Sequence, residues 1–544
     1  MKKLLFLTLV FLILACKSDK LPADLLIKKA NVYTVNTNFD IIEAFVIKDG
    51  IILEIGNSSE LEAKYDPVET FDAKGRTILP GLIDAHAHLF NLGLSYQNVD
   101  LVGTTSFDEV IERVMAFQEE KNSNFIEGRG WDQNDWEIKE YPTKEKLDSL
   151  FPNTPVALKR IDGHAYLVNS KTLEMAGITI ETKVTGGKIM IQNGELTGIL
   201  IDSPMELVNE IIPELSTRRK IQALKEAEKI CIGLGLTTVD DAGLDKDIIE
   251  LIDSLQLAGD FSLRIYAMVS NKKENLDYFF ERGIIKTERL NVRSVKVYAD
   301  GALGSRGAAL REEYSDLTGH YGVMMTPMDS LESLAKRIVD AGYQMNTHAI
   351  GDSANISVLR TYKKVLNGKK DARWRVEHAQ VLSLSDVAYF SRNIIPSVQP
   401  THATSDMYWA EDRLGPDRIK GAYAYKTILE KAGIIALGTD FPVEQVNPMY
   451  TFYAAVVRKD LQNFPEGGFR IEDALSREET LKGMTIWAAY ANFEEGEKGS
   501  IEVGKFADFI VLEKDIMTIP ENEIPDVKVL LTFIQGKKVF IKKI

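Results

Sequence analysis

The sequence predicts an α/β fold, a (β/α)8 TIM barrel, accompanied by a β-sandwich formed by both chain ends. Apolar runs of strand length recur through the middle of the chain, and several of them end in a histidine, a lysine or an aspartate. Both ends of the chain instead alternate apolar and polar residues between glycine-rich turns, a pattern typical of β-strands and hairpins. The length of 544 residues accommodates one barrel with insertions beside a smaller second domain.

The barrel is predicted to span residues 80–493, and its strands are assigned by counting back from the last apolar run. Strands eight to one are then IIALGTD, IPSVQP, RWRVEHA, QMNTHA, SVKVYAD, LRIYAMV, LTTVDDAG and the run that begins GLID. Residues 89–230 separate strands one and two, which is far longer than an ordinary connection between barrel elements. We therefore predict an insertion between these two strands, with a hairpin at TGGKIMIQNGELTGILID.

The two chain ends are predicted to form one composite β-sandwich, from residues 24–79 and 494–544. The first part contains LLIKKANVYTV and EAFVIKDGIILEIG, and the second contains GSIEVGKFADFIVLEKD and VKVLLTFIQGKKVFI. Asp508, in the second part, is interpreted as a turn residue. The role predicted for this sandwich is structural.

Four of the seven histidines fall into a pattern typical of metal ligands. His86 and His88 in DAHAH are two residues apart, so a strand places both side chains on one side. Taken alone, the pair is weak evidence for a metal site, and two polar residues at a strand end are the alternative. Four further residues each stand at the C-terminal end of their own apolar run: Lys296, His348, His378 and Asp440. Because such strand ends converge in a parallel barrel, and imidazole and carboxylate suit zinc, the set predicts a metal site.

The order HxH, lysine, histidine, histidine, aspartate resembles the amidohydrolase superfamily of metal-dependent hydrolases. In its dinuclear members, a lysine at the end of the fourth strand is carboxylated by CO2, and its carbamate bridges two metal ions. The resemblance implies this role for Lys296, and with it a pair of divalent ions, expected to be zinc. A buried lysine beside metals can lose its proton, as carboxylation requires. The alternative is a charged Lys296 beside a mononuclear site.

The same resemblance implies a separate role for Asp440. The corresponding aspartate touches one metal, takes a proton from the attacking hydroxide and passes it to the leaving group. An aspartate that caps a helix before Phe441 and Pro442 is the alternative, and the two interpretations are compatible. Of the remaining histidines, His402 is predicted to stand behind the ligands, and His320 is predicted to be structural.

Several motifs narrow the resemblance to the YtcJ-like branch of that superfamily, which includes enzymes that deformylate N-substituted formamides. These motifs are GRGWDQ, DGHAYLVNS, TGGKIMIQNGELTGIL and DGALGSRGAAL. They imply that Trp131, Asp132 and His164 line a substrate pocket. They also imply that Asp300 and Arg306 belong to a flexible lid. The alternatives are the core of the insertion for Trp131, a surface loop for His164 and a plain turn for the two lid residues.

The function predicted from this resemblance is hydrolysis of a non-peptide C–N bond, in an amide or a formamide, by a metal-activated hydroxide. The expected substrate is a small molecule. Two alternatives are other chemistries on the same barrel: a mononuclear deaminase, and an ester or lactone hydrolase. A third is a non-catalytic lipoprotein that binds a ligand.

The charge of the chain limits its partners. The formal net charge of −15 and the lack of a basic stripe argue against nucleic acid. The sequence also contains no phosphate-binding loop of the Walker type. The sequence is compatible with a homo-oligomer and does not decide the oligomeric state.

The N-terminus predicts an exported lipoprotein of the cell envelope, anchored to a membrane. Two lysines precede the apolar run LLFLTLVFLILA, which suits a signal peptide and is short for a membrane-spanning helix. The tetrapeptide ILAC resembles the bacterial lipobox, which implies a signal peptide at 1–15, a lipid on Cys16 and a tether at 16–23. The alternative is an ordinary cleavage site. Only Cys231 would then remain, so no internal disulfide is expected.

Overall fold

The computed structural model describes residues 20–542 except residues 162, 164, 185 and 186. The predicted signal peptide, Cys16 and part of the predicted tether lie outside the described residues, and so does His164. Within the described ranges, no helix is both long enough and apolar enough to cross a membrane.

A barrel of parallel strands forms the centre of the fold and confirms the predicted α/β class. In the described part of the chain, eight strands pair in sequence order. They are Leu82–Ala87, Leu236–Leu244, Arg264–Ser270, Leu290–Tyr298, Gln344–Ala349, Trp374–His378, Ile394–Val398 and Ala436–Leu437. The short strand Ile285–Lys286 pairs antiparallel with the fourth of these. Most barrel residues are buried on both faces, which explains their runs of valine, isoleucine and alanine.

Backbone hydrogen bonds beyond the regular part of strand eight close the barrel onto strand one. The Asp440 N–H donates to the His86 carbonyl at 2.7 Å, and the His88 N–H donates to the Phe441 carbonyl at 2.8 Å. A Cβ on Gly438 would lie 2.5 Å from the His86 nitrogen, so this close approach requires glycine. The predicted run IIALGTD is regular only at Ala436–Leu437, and its last residue, Asp440, has a φ of 66°.

Amphipathic helices cover the outside of the barrel. Helix Lys246–Leu257, for example, buries Ile248 and Ile252, which are one turn apart on the same face. The helices around the barrel are Leu89–Ser95, Thr217–Gly233, Lys246–Leu257, Lys273–Arg282, Met328–Asp340, Asp352–Val365, Pro400–Asp406, Ala410–Arg418, Tyr425–Ala432, Pro448–Val457, Arg477–Gly483 and Ile486–Ala491. Short 3₁₀ helices lie at Leu384–Tyr389, Ile419–Gly421, Ile471–Asp473 and Glu521–Asp526.

The insertion between barrel strands one and two has its own sheet and its own core. Its strands, in spatial order, are Gly187–Gln192, Glu195–Asp202, Ala165–Val168, Val156–Arg160, Ile126–Trp131 and Val99–Asp100. The helical segments are Phe107–Lys121, Gln133–Asp135, Glu145–Leu150, Ser170–Met175 and Met205–Asn209. The predicted hairpin is confirmed, with Asn193 and Gly194 at positive φ in its turn.

Both chain ends contribute to a pair of sheets beside the barrel, which confirms the predicted sandwich. One sheet contains Ile51–Gly56, Ala44–Lys48, Leu21–Lys28 and Tyr65–Asp72, and helix Ser58–Lys64 precedes the last of these strands. The other contains Lys537–Ile541, Val529–Ile534, Phe509–Leu512, Thr77–Pro80, Asn31–Tyr33 and Ile41–Ile42. Side chains of the two sheets, including Phe45, Phe509 and Phe533, share one hydrophobic core.

Asp508 does more than the predicted turn residue would. Its buried carboxylate accepts hydrogen bonds from Arg264 Nε at 2.6 Å and Nη2 at 3.0 Å, and from the Gln535 N–H at 2.7 Å. Arg264 lies on the third barrel strand, so this two-pronged ion pair joins the sandwich to the barrel. This ion pair was not predictable from the sequence pattern, because its two partners are 244 residues apart.

Candidate metal centre

His86 and His88 lie at the end of barrel strand one. In each imidazole ring, one nitrogen forms a hydrogen bond with a protein oxygen. His86 Nδ1 donates to Glu377 Oε2 at 2.6 Å, and His88 Nδ1 donates to the Ala242 carbonyl at 2.9 Å. A proton held on Nδ1 leaves the lone pair on Nε2, the tautomer that binds metal through that atom. Both Nε2 atoms face Asp440 Oδ1, at 3.6 Å from His86 and 3.3 Å from His88.

In these tautomers none of the three atoms carries a proton, so they would repel one another without a cation or a neighbouring hydrogen-bond donor. Tetrahedral zinc with nitrogen and oxygen ligands separates neighbouring ligand atoms by about 3.3 Å. The distances of 3.3 and 3.6 Å around Asp440 Oδ1 match that spacing. His86, His88 and Asp440 therefore fit a divalent metal ion.

His348 and His378 extend the same site from strands five and six. Their ring centroids are 4.5 Å apart, and the His378 ring lies 4.9 Å from that of His86. Within the described part of the chain, His348 Nε2, His378 Nδ1 and Asp440 Oδ1 are buried and have no hydrogen-bond partner. Buried polar atoms in native proteins are nearly always paired, so these atoms together are best explained as ligands. The structure thus brings together the histidines and the aspartate predicted to bind metal.

Lys296 lies in the centre of this cluster. Its Nζ donates to His86 Nε2 at 2.8 Å, and only 1% of the residue is exposed. Burial lowers the pKa of Lys296 to about 8, although the nearby carboxylates of Glu377 and Asp440 oppose that shift. The amine thus adjoins the metal-facing nitrogen of His86 and loses its proton more readily than an ordinary lysine.

A buried ionic network holds His86 in place. Arg375 Nε donates to Glu377 Oε1 at 2.7 Å, and Arg375 Nη1 donates to Asp240 Oδ2 at 2.8 Å. Burial opposes ionisation of Glu377, but Arg375 and His86 outweigh it and hold its pKa at about 2. Glu377 is therefore ionised at neutral pH, and its charge fixes the tautomer of His86.

Two further aspartates position the backbone of the HxH segment. Asp84 accepts hydrogen bonds from the backbone N–H and the hydroxyl of Thr439 at 3.0 and 2.7 Å, which ties strand one to strand eight. Asp241 accepts from the N–H groups of Leu89 and Phe90 at 3.1 and 3.2 Å, directly after His88. Burial raises the pKa of each aspartate to about 7.

His402 stands behind Asp440, as the sequence predicts. Its Nε2 lies 3.3 Å from Asp440 Oδ2 and its Nδ1 lies 3.0 Å from Glu444 Oε1, so both ring nitrogens donate to carboxylates. Burial lowers the pKa of His402, but the two carboxylates outweigh it and raise the pKa to about 10. Burial likewise opposes ionisation of Asp440, yet the charged His402 beside it holds its pKa well below the usual range.

Unusual backbone conformations occur at two of the strand ends. His378 has a φ of 71° and Asp440 a φ of 66°, both in the left-handed region that non-glycine residues rarely adopt. Neighbouring strand residues normally face opposite sides, yet Glu377 and His378 both contact His86. The backbone turn at His378 allows its side chain to face the same side as that of Glu377. Strained conformations of this kind cluster at functional sites.

A family model described as the amidohydrolase family matches residues 69–540. The chain belongs to the amidohydrolase family. It is therefore a hydrolase of a metal-dependent superfamily, and the resemblance that the sequence motifs indicated is confirmed.

Among curated relatives, three align over nearly the whole amidohydrolase chain. The putative amidohydrolase YtcJ of Bacillus subtilis is 32% identical over 94% of this chain and 98% of its own. The protein LONG AFTER FAR-RED 3 of Arabidopsis thaliana is also 32% identical, over 95% of this chain and 92% of its own. The N-substituted formamide deformylase of Arthrobacter pascens is 26% identical over 94% of this chain and 97% of its own. An uncharacterized metal-dependent hydrolase from Pyrococcus horikoshii has a similar structure, with a TM-score of 0.77, 27% identity, and coverage of 91% of this chain and 99% of its own.

Trp131 and Asp132, predicted to contact substrate, make their contacts inside the insertion of the amidohydrolase. Trp131 is buried in the core of the insertion, and its Nε1 donates to the Leu158 carbonyl at 2.8 Å. Asp132 forms an ion pair with Arg160 and accepts the Asn134 N–H at 2.9 Å. The contacts of Trp131 match the alternative of a core residue. A substrate role for either residue stays a prediction.

Asp300 and Arg306 lie in the loop after strand four, at residues 299–327. The buried carboxylate of Asp300 accepts the N–H groups of Ala309, Ile350 and Gly351 at 2.8–3.0 Å. Asp300 thus fixes the base of this loop to the end of strand five. The prediction of a flexible lid did not include this anchoring role. Arg306 pairs with Asp316 at 2.8 Å on the loop surface. The His320 Nε2 donates to the Arg306 carbonyl at 2.8 Å, in keeping with its predicted structural role.

Proposed function

We propose that this amidohydrolase cleaves the C–N bond of a small non-peptide amide, with N-substituted formamides as the first class to test. The observation that carries the proposal is the convergence of His86 Nε2, His88 Nε2 and Asp440 Oδ1 at metal-ligand spacing. The bond class is supported by the N-substituted formamide deformylase that aligns over 94% of the chain.

We further propose two zinc ions in this site, held by six residues that face one another. These are His86, His88, Lys296, His348, His378 and Asp440. A carbamate on Lys296 would supply two oxygens of the kind that a metal pair shares. When bound, the metal would polarise the amide carbonyl and make hydroxide available near neutral pH.

Asp440 provides the proton transfers in this proposal. His402 keeps its carboxylate ionised and fixes its orientation, so it can accept a proton as water adds to the carbonyl carbon. Asp440 then returns that proton to the amide nitrogen while the C–N bond breaks. The products are one carboxylic acid, formate for a formamide, and one amine, so a single water molecule is consumed.

The test is a hydrolysis screen on the purified chain. We expect 4-nitroformanilide and N-alkylformamides to release formate and amine in equal amounts, and a chelator such as 1,10-phenanthroline to abolish the reaction until zinc is restored. The panel includes acetanilides, aryl esters, lactones and aminopurines. Faster turnover of esters or lactones, or release of ammonia from aminopurines, would replace the amide proposal. No turnover by a fully metal-loaded chain would favour a ligand-binding protein.

We also propose that the chain is exported and anchored to a membrane by a lipid on Cys16. The proposal is supported by the motif ILAC at the end of an apolar run that follows two lysines. We expect Cys16→Ala to abolish incorporation of an alkyne-labelled fatty acid and to leave the signal peptide uncut. Cys231→Ala is the matched control, since Cys231 is buried, and it should keep the label. Label on the Cys16→Ala variant would overturn the proposal.

A further inference from the structure

Tyr298 borders the candidate metal centre, and the proposed function assigns no role to it. It follows Lys296 by two residues at the end of barrel strand four, so both side chains face the same side of the strand. The Tyr298 ring centroid lies 5.6 Å from that of His348 and 5.1 Å from Lys296 Nζ. Unlike Lys296, Tyr298 is partly exposed, so it borders the space above the site.

The hydroxyl of Tyr298 reaches the end of barrel strand two. A Cβ on Gly243, at the end of strand two, would lie 3.4 Å from that oxygen, and Gly243 has a φ of 87°. The adjacent residue, Ala242, provides the carbonyl that holds His88. Tyr298 therefore extends from the His348 side of strand four, past strand three, to the end of strand two that holds His88.

This hydroxyl makes no hydrogen bond to any residue that the structure describes. Buried tyrosines of the same barrel do make such bonds: Tyr266 donates to Gln344 at 2.7 Å, Tyr362 to Thr347 at 2.6 Å, and Tyr425 to the Gln399 carbonyl at 3.0 Å. Tyrosines packed for structure thus have a protein acceptor here, as buried hydroxyls usually do. Tyr298 keeps its donor free where a substrate would lie.

We propose that Tyr298 is a catalytic residue whose hydroxyl donates a hydrogen bond to the carbonyl oxygen of the substrate. A phenol is a neutral donor at physiological pH. Its bond to that oxygen becomes stronger as water adds to the carbonyl carbon and negative charge moves onto the oxygen. The inference rests on the proposed function, because it requires a substrate with a carbonyl group. No proton is transferred from Tyr298, and its O–H bond stays intact throughout.

The test compares Tyr298→Phe with the metal-loaded wild type on 4-nitroformanilide. Loss of one donor to a developing oxyanion lowers kcat by about 10²–10³-fold, and we expect that loss in kcat rather than in KM. Tyr343→Phe is the matched control. Tyr343 precedes strand five, at the end remote from His348, and its hydroxyl donates to the carbonyls of Phe279 and Gly283 at the end of helix Lys273–Arg282, so kcat should not change.

A binding measurement separates this inference from the proposed function. Titration calorimetry with methylphosphonate, a tetrahedral anion, should give an affinity at least about tenfold weaker for Tyr298→Phe than for wild type. Formate, which is planar, should bind both with similar affinity. A wild type inactive on every amide would defeat the proposed function, and the methylphosphonate comparison would still decide the role of Tyr298. Unchanged kcat together with unchanged methylphosphonate affinity would overturn the inference, and so would loss of metal or of folding in Tyr298→Phe.

Discussion

Replacing Lys296 with methionine is expected to reduce bound metal from two equivalents per chain to one or none, and to lower kcat by about three orders of magnitude. Methionine keeps an unbranched apolar side chain of similar length in the buried site but removes the nitrogen that would carry a carbamate. Elemental analysis of protein purified with bicarbonate measures the metal. Lys273→Met is the control, because Lys273 is exposed and pairs only with Asp277 in the described structure.

The requirement for CO2 distinguishes a carbamate from a lysine that merely contacts His86. Only the neutral amine reacts with CO2, and burial lowers the pKa of Lys296 to about 8. The amine is therefore mostly neutral at pH 9 and mostly protonated at pH 6.5. When metal is added back to metal-free protein, bicarbonate should speed binding of the second metal equivalent. We expect this acceleration to be far larger at pH 9 than at pH 6.5. Two metal equivalents bound to Lys296→Met would favour a site in which Lys296 is not carboxylated. Metal recovery at the same rate with and without bicarbonate would favour the same conclusion.

The metal centre was predictable because its residues interrupt apolar runs. A histidine or aspartate at the end of a buried strand departs from its surroundings, and the barrel geometry then dictates that such residues meet. His86, His88, His348, His378 and Asp440 were all found in this way. The barrel order followed from the same runs, and only the end of strand eight differed, because the backbone turns at Asp440.

The supporting residues were not predicted, because their roles depend on partners distant in sequence. Arg375 and Glu377 are two residues apart in RWRVEH, and that spacing would have indicated two charges on one strand face. Their other partners, Asp240 and His86, are 135 and 291 residues away. The motif around Trp131 implied a substrate contact, with the core of the insertion as the alternative, and its indole packs in that core.

The ionic network behind His86 predicts the largest loss of stability from a single substitution. Arg375→Met should destabilise the fold by about 3–5 kcal/mol, because it leaves the charge of Glu377 and the carboxyl group of Asp240 buried without the guanidinium that binds both. Methionine fills much of the volume of arginine. The decrease in the free energy of unfolding therefore reports on lost charge pairing more than on lost packing. Guanidinium unfolding of metal-loaded protein gives the change, with Arg392→Met as control. Arg392 is exposed and donates only to the Gly433 carbonyl at 3.5 Å in the described structure, so its loss should change stability by less than about 0.5 kcal/mol.

The same substitution should weaken the metal centre through His86. Without Arg375, burial is no longer outweighed and the pKa of Glu377 rises from about 2, so the carboxylate holds the Nδ1 proton of His86 less firmly. Loss of such a supporting partner lowers metal affinity by about 10–100-fold. Competition with a chelator measures that affinity, and it should fall in Arg375→Met but not in Arg392→Met. An Arg375→Met variant as stable as the control, with its metal retained, would show that Glu377 holds His86 without the guanidinium.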